Sequence, residues 1–329
     1  MTTPSAEGAR PADAGRASSP DSHLDGDPMD TPDNASDLPQ ASPDSQASPE
    51  PQASPEPQVS PEPQASDGAP PLLHLIDIGK TFGPVRVLTG ITLDIPLGQV
   101  TAVVGDNGAG KSTLIKTISG IYQQDEGQIL WQGHPVHLHS PKAATDLGIA
   151  TVYQDLALCD NLDIVANMFL GREEVKHFQL DEIGMEKAAR QTLADLSVVT
   201  VRSVRQAVGS LSGGQRQAVA VARAVMRQAK LVILDEPTAA LGVTQTRVVL
   251  DLIKRLKSQN IAVIVISHNL TDVQSVADRI AVLRLGRLVA VGPASHYDAE
   301  SIVDLMTTGT SKRLAATPAE PSAGSSSEH

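Results

Sequence analysis

A short strand-like run, Val100–Val104, ends directly on Gly105-Asp106-Asn107-Gly108-Ala109-Gly110-Lys111-Ser112, and an amphipathic stretch follows at once. Few local patterns narrow the choice of fold as far. Strand, glycine-rich loop and helix, in that order, aim backbone amides at an anion beside the positive end of the helix dipole. Glycine lets the backbone come close and take conformations closed to other residues. The pattern predicts that Gly105, Asp106, Asn107, Gly108, Ala109 and Gly110 cradle the phosphates of a nucleotide. Lys111 then bridges the β- and γ-phosphates, Ser112 holds Mg2+ and Thr113 touches the α-phosphate.

The rest of the chain fits an α/β domain around that loop. Strands are expected at Leu72–Ile78, Ile91–Ile95, Val100–Val104, Ile149–Tyr153, Leu231–Leu234, Ile261–Ile266, Ile280–Leu285 and Leu288–Val291. Several are apolar and β-branched throughout, as in a sheet buried on both faces. Lys111–Ser119, Ser212–Gln228 and Thr244–Ser258 read as helices. Residues from about 158 to 210 lack strand runs and read as a helical insertion.

Residues 1–70 are of another kind. They are rich in Pro, Ser, Asp, Ala and Gln, and from Ser48 the unit Ser-Pro-Glu-Pro-Gln-Ala/Val repeats. Such a segment buries too little apolar surface to offset its ordering entropy, so disorder is expected. A shorter flexible tail is expected over 307–329, which leaves 71–306 as the folded domain. The net charge of −12 belongs mostly to the first segment: residues 1–70 hold 13 acidic and 2 basic side chains, a balance of −11. Residues 71–306 hold 23 acidic and 22 basic, a balance of −1, which counts against a nucleic-acid binder. Cys159 is the only cysteine, and the acidic start lacks the apolar core of a secretory leader. Both suit the cytosol. No apolar run approaches the roughly 18 residues needed to cross a bilayer, so a membrane role would run through a partner.

Two further strand ends carry chemistry. Leu231–Leu234 ends on Asp235-Glu236, and ligands bind at the carboxyl ends of strands in α/β sheets. Asp235 suits a Mg2+ shell, and Glu236 suits the general base that polarises an attacking water. His268 follows Ile261–Ile266, at the same edge, and is placed for a γ-phosphate contact. Leu211-Ser212-Gly213-Gly214-Gln215 opens a helix, with Ser212 as N-cap. Its exposed amides form a second anion site. One domain has no need of two cradles for one triphosphate, so the segment implies a second copy facing the first.

Taken together these motifs resemble the ATP-binding subunits of ABC transporters over roughly residues 72–306. The fold implied is a P-loop NTPase core with a helical subdomain, about 155–228, and a small antiparallel β subdomain. In that family two ATPase domains pair head to tail, each signature closing over the other's ATP. The resemblance makes Ser212, Gly213, Gly214 and Gln215 that signature. It makes Gln154 the Q-loop sensor, which shares the metal with Ser112 and Asp235, and His268 the switch histidine. Phe82 becomes the aromatic that stacks on adenine. Ser140-Pro141, Gly148-Ile149, Asn167, Leu170-Gly171-Arg172-Glu173 and Ser267-His268-Asn269 resemble importers of simple sugars of the ribose and fructose type. The implied partners are integral-membrane permease subunits, a second copy of the chain and, indirectly, an extracellular sugar-binding protein. The implied place is the cytoplasmic face of the cell membrane. One departure stands out: Gly242 occupies the place where the wider family usually has an aspartate.

Two other readings stay open. One is a soluble ABC ATPase acting on ribosomes or DNA; the short gap between Gln154 and Leu211, without sustained heptads, and the near-neutral core weigh against it. The other is a regulatory module that binds ATP without turnover, against which Glu236 and His268 weigh. His134, His137 and His139 lie close together but lack a flanking carboxylate or cysteine, so they are not read as a metal site. Cys159 reads as a small core or interface residue.

Overall fold

The computed structural model describes residues 70–198 and 201–311. The segment expected to be disordered lies outside them apart from Pro70, as does the chain beyond 311.

In chain order the described part opens with two long strands, β1 (Leu73–Phe82) and β2 (Val85–Ile95). β3 (Val100–Val104) is buried at every position and feeds α1 (Lys111–Ile118). Next come β4 (Glu126–Trp131), β5 (His134–Val136), α2 (Pro141–Leu147) and β6 (Ile149–Val152). α2 starts where the Ser140 side chain accepts from the Ala143 N–H, and it stops at Gly148, whose φ of 93° suits glycine. The insertion then holds α3 (Ile164–Phe169), a minimal hairpin of β7 (Val175–Lys176) and β8 (Gln179–Leu180), and α4 (Glu182–Asp195). α5 (Gly213–Met226) returns the chain to β9 (Leu231–Asp235). The order ends with α6 (Val243–Ser258), β10 (Ala262–Ile266), α7 (Leu270–Val276), β11 (Arg279–Arg284), β12 (Arg287–Pro293) and α8 (Ala299–Thr308).

Six strands form one sheet in the order β12-β11-β3-β10-β9-β6. All neighbours are parallel except β12, which folds back along one edge. The central strands are apolar because both faces are covered, and alternate residues feed different cores. Val232, Leu234, Val263 and Val265 pack with α3, α4, α5 and α6. Leu231, Ile233, Ala262 and Ile264 pack with α1, α2 and the β1–β2 hairpin. A four-stranded antiparallel sheet, β2-β1-β4-β5, covers that second side.

Register decides where the functional loops emerge. Ile266 on β10 pairs with Val103 on β3 and with Asp235 on β9. The chain after each strand therefore leaves the sheet at one edge and nearly one level.

The expected strands and helices are present, with some differences. β1 and β2 are longer than expected, since register shifts let the hairpin continue past its apolar stretch. β4 and β5 were not expected. Their outer residues, such as Glu126 and Gln128, are polar and exposed, and only Ile129 and Trp131 are buried. The 158–210 insertion is not purely helical: it contains β7, β8 and a 3-10 turn over Val208–Ser210. α8 runs two residues past the expected boundary at 306, with Arg284 Nε donating to the Thr307 carbonyl at 3.1 Å.

Candidate active site

The loop from Gly105 to Gly110 joins β3 to α1 and is tightly seated. A Cβ on Gly105 would lie 2.2 Å from the Leu283 carbonyl oxygen on β11. Gly110 has φ 107°, and a Cβ there would meet Leu88 Cδ2 at 2.9 Å. Only glycine fits either position without a shift of backbone or core. The Ala109 N–H closes the turn on the Asp106 carbonyl at 3.1 Å. From outside, the Gly286 N–H donates to the Ala109 carbonyl at 2.9 Å. No side chain caps α1, so its first amides stay directed at the loop. Lys111 Nζ donates to the carbonyls of Gly105 at 2.6 Å and Asp106 at 2.9 Å. Ser112 is exposed and Thr113 half-buried at the start of the helix.

Asp235 closes β9 and Glu236 follows it. Glu236 takes φ 50°, a left-handed conformation that costs a non-glycine residue roughly 1–2 kcal/mol. Its N–H donates to the Ile266 carbonyl at 2.9 Å, which pins the turn to β10. The Glu236 side chain is 18% exposed, and its Oε2 lies 2.8 Å from His268 Nδ1. His268 itself is 73% exposed, so its ring faces out from the edge of the sheet. Burial pushes the Asp235 carboxyl above its ordinary range, and the neighbouring Glu236 adds to this. Lys111 and Lys116 oppose the shift, which ties both cations electrostatically to the end of β9. The folded chain thus holds a proton on Asp235 more tightly than the unfolded chain does. Asp235 therefore costs stability increasingly as pH rises above its unfolded pKa, and the cost levels off above the folded one.

Gln154 is exposed one residue past Tyr153, after the edge strand β6. Beside it a cleft of about 150 Å3 runs between α2 and α5, with Ser119, Thr151, Tyr153, Arg223 and Arg227 in its walls. The three residues expected to hold the metal, Ser112, Gln154 and Asp235, offer hydroxyl, amide and carboxylate oxygens. That set suits a hard cation such as Mg2+, which keeps several waters and binds few protein carboxylates. Among the described residues no cluster of three His, Cys, Asp or Glu side chains could hold a metal, His134, His137 and His139 included.

The Leu211–Gln215 segment starts α5, on the insertion. Ser212 and Gln215 form a capping box: Gln215 Oε1 accepts from the Ser212 N–H at 2.9 Å, and Ser212 Oγ accepts from the Gln215 N–H at 3.4 Å. The two glycines also have a packing role that sequence reading missed. A Cβ on Gly213 would meet Leu241 Cδ2 at 2.6 Å, and one on Gly214 would meet Gln245 Cβ at 3.2 Å. α5 and α6 thus approach closely at their N-termini. Gly242 caps α6 without a side chain, and its N–H donates to Gln245 Oε1 at 3.4 Å.

Phe82 ends β1 at 40% exposure. Tyr122, which sequence reading did not single out, meets it edge-on with ring centroids 5.0 Å apart and planes at 72°. Lys80 Nζ lies 5.4 Å from the Phe82 centroid and is held by Asp125 at 2.7 Å. The structure therefore brings the loop, Asp235, Glu236, His268 and Gln154 to one edge of the large sheet. Phe82 lies on the smaller sheet, and Ser212–Gln215 on the insertion.

Residues 88–239 match the sequence pattern of the family described as ABC transporter. The chain is similar to the fructose import ATP-binding protein FrcA of Rhizobium meliloti, 46% identical over 72% of this chain and 94% of that protein. It is similar to the xylose/arabinose import ATP-binding protein XylG of Sulfolobus acidocaldarius, 44% identical over 72% of this chain and 94% of that one. It is also similar to the ribose import ATP-binding protein RbsA of Burkholderia pseudomallei, 38% identical over 73% of this chain but 47% of that protein. Among solved structures, an ATP-binding cassette of an ABC transporter in its ADP conformation superposes with a TM-score of 0.62 at 27% identity, covering 72% of this chain and 95% of that one. Among the described residues no helix is long and apolar enough to cross a membrane.

Proposed function

We propose that this chain, which belongs to the ATP-binding family of ABC transporters, hydrolyses ATP to drive import of a simple sugar through a separate membrane permease. The observation that carries the reading is the Glu236–His268 pair at 2.8 Å, on the same sheet edge as the glycine loop. The similarity to import subunits for fructose, xylose/arabinose and ribose carries the substrate class.

The loop amides from Gly105 to Gly110 receive the phosphates, Lys111 neutralises the β- and γ-phosphate charge, and Thr113 reaches the α-phosphate. Phe82 stacks on adenine, with its ring oriented by Tyr122. Ser112, Asp235 and Gln154 hold Mg2+, which when bound neutralises charge on the phosphate oxygens. Glu236 accepts the proton of the attacking water, and His268 orients toward the γ-phosphate. Ser212, Gly213, Gly214 and Gln215 close over the nucleotide of a second copy, so each site is made from two chains. ATP holds the pair closed because it binds that state more tightly, and hydrolysis releases it. The permease meets the cleft beside Gln154, and the chain works peripherally on the cytoplasmic face of the membrane. A sugar-binding protein on the far side supplies the permease. The reading as an ATPase acting on ribosomes or DNA draws no support from these similarities or from the near-neutral core.

Phosphate release from MgATP by the purified protein tests the reading. Release should rise more steeply than linearly with protein concentration, because two chains complete each site. No release at any concentration would overturn it.

A further inference from the structure

α5 begins at the Ser212 cap, and eleven residues later, about 16 Å along the axis, it carries Arg223. Arg223 is half-buried, and its guanidinium donates from Nη1 to the Ala157 carbonyl and from Nη2 to the Leu156 carbonyl, each at 3.0 Å. Both carbonyls belong to the loop that leaves β6 through Gln154. That loop is held in an uncommon shape. Ala157 takes φ 47°, which a residue with a Cβ rarely adopts, and its N–H donates to Asp155 Oδ1 at 3.2 Å. Farther on, the buried Asn167 of α3 closes the same loop. It accepts from the Cys159 N–H at 2.7 Å and donates to the carbonyls of Cys159 at 3.0 Å and Asp163 at 2.9 Å.

The loop is thus tied to α5 and to α3, and three residues, Tyr153, Gln154 and Asp155, join those ties to β6. Burial pulls the Arg223 guanidinium below its ordinary pKa. Partly burying a cation costs free energy unless hydrogen bonds satisfy it, and here the two main-chain carbonyls do so.

We infer that Arg223 is a positioning residue that makes the signature helix and the Gln154 loop move as one body. Closure of Ser212 on the partner's nucleotide and placement of Gln154 at the chain's own metal site then become a single event. The inference rests on the ATPase reading above.

A double-mutant cycle in the full-length protein tests it, with kcat and KM for ATP measured for Arg223→Ala, Gln154→Ala and the pair. Arg223→Ala should lower kcat on the order of tenfold and change KM less than about twofold. In the Gln154→Ala background the same change should lower kcat less than about twofold. Arg223→Lys, whose ammonium reaches one carbonyl, should fall between Arg223→Ala and the unaltered chain and be equally silent in that background. It serves as the probe should Arg223→Ala not fold. An equal loss in both backgrounds, or a rise in KM at constant kcat, would overturn the role of Arg223 and leave the ATPase reading standing. An unaltered chain that releases no phosphate would overturn the reading, and the inference with it.

Discussion

Glu236→Gln is expected to lower kcat at least about 100-fold while ATP binding persists. The substitution keeps the size of the side chain and removes its basicity. The left-handed backbone at position 236 and its hydrogen bond to Ile266 involve no side-chain atom, so the turn should survive. The His268 contact should survive in part, since a glutamine oxygen still accepts. Only the proton transfer is lost, and a well-placed general base contributes roughly 10²–10⁴-fold. With cleavage blocked, ATP should hold two chains together, and gel filtration in MgATP should show a dimer that ADP does not support. Turnover within about threefold of the unaltered protein would remove Glu236 from the role of base.

Lys111→Ala should weaken ATP binding on the order of 100-fold. The ammonium lies against the Gly105 and Asp106 carbonyls, at the mouth of the loop where the phosphate charge would gather. Hydrogen bonds to a charged group contribute about 1.5–3 kcal/mol each, so two of them at the low end of that range amount to about two powers of ten in Kd. Lys111 is also one of two cations that oppose the raised pKa of Asp235; without it Lys116 alone opposes the shift. An affinity within about threefold of the unaltered chain would contradict the assignment of Lys111 to the phosphates.

Much of this was legible in the sequence because it is local. β3, β9 and β10 are apolar on both faces, so they stand out as buried strands, and the functional loops follow them directly. Gly105 and Gly110 are readable as a cradle for the same reason. β4 escaped notice because half its residues face solvent and its pairing with β1 depends on a distant segment. α2 and α7 are seven residues each, too short for a clear helical period. The packing role of Gly213 and Gly214 needs α6, which lies some thirty residues away in the chain. Arg223 was invisible for a similar reason: a basic residue on an amphipathic helix looks solvated until its carbonyl partners, 66 and 67 positions earlier, are seen. Gly242 was noticed as a departure, and the structure shows Gln245 taking up its N–H.

The claim under all of this is that each catalytic site is shared between two chains. Mixing two inactive variants tests it most directly. Lys111→Ala disables the phosphate loop and leaves the signature intact. Ser212→Arg disables the signature and leaves the loop intact; position 212 is exposed, so the added bulk has room. In a mixed dimer one site pairs the sound loop of one chain with the sound signature of the other. Phosphate release should therefore reappear on mixing, at up to about a quarter of the unaltered rate if half the dimers are mixed and each holds one working site. A mixture no more active than its two components measured separately would contradict the shared site.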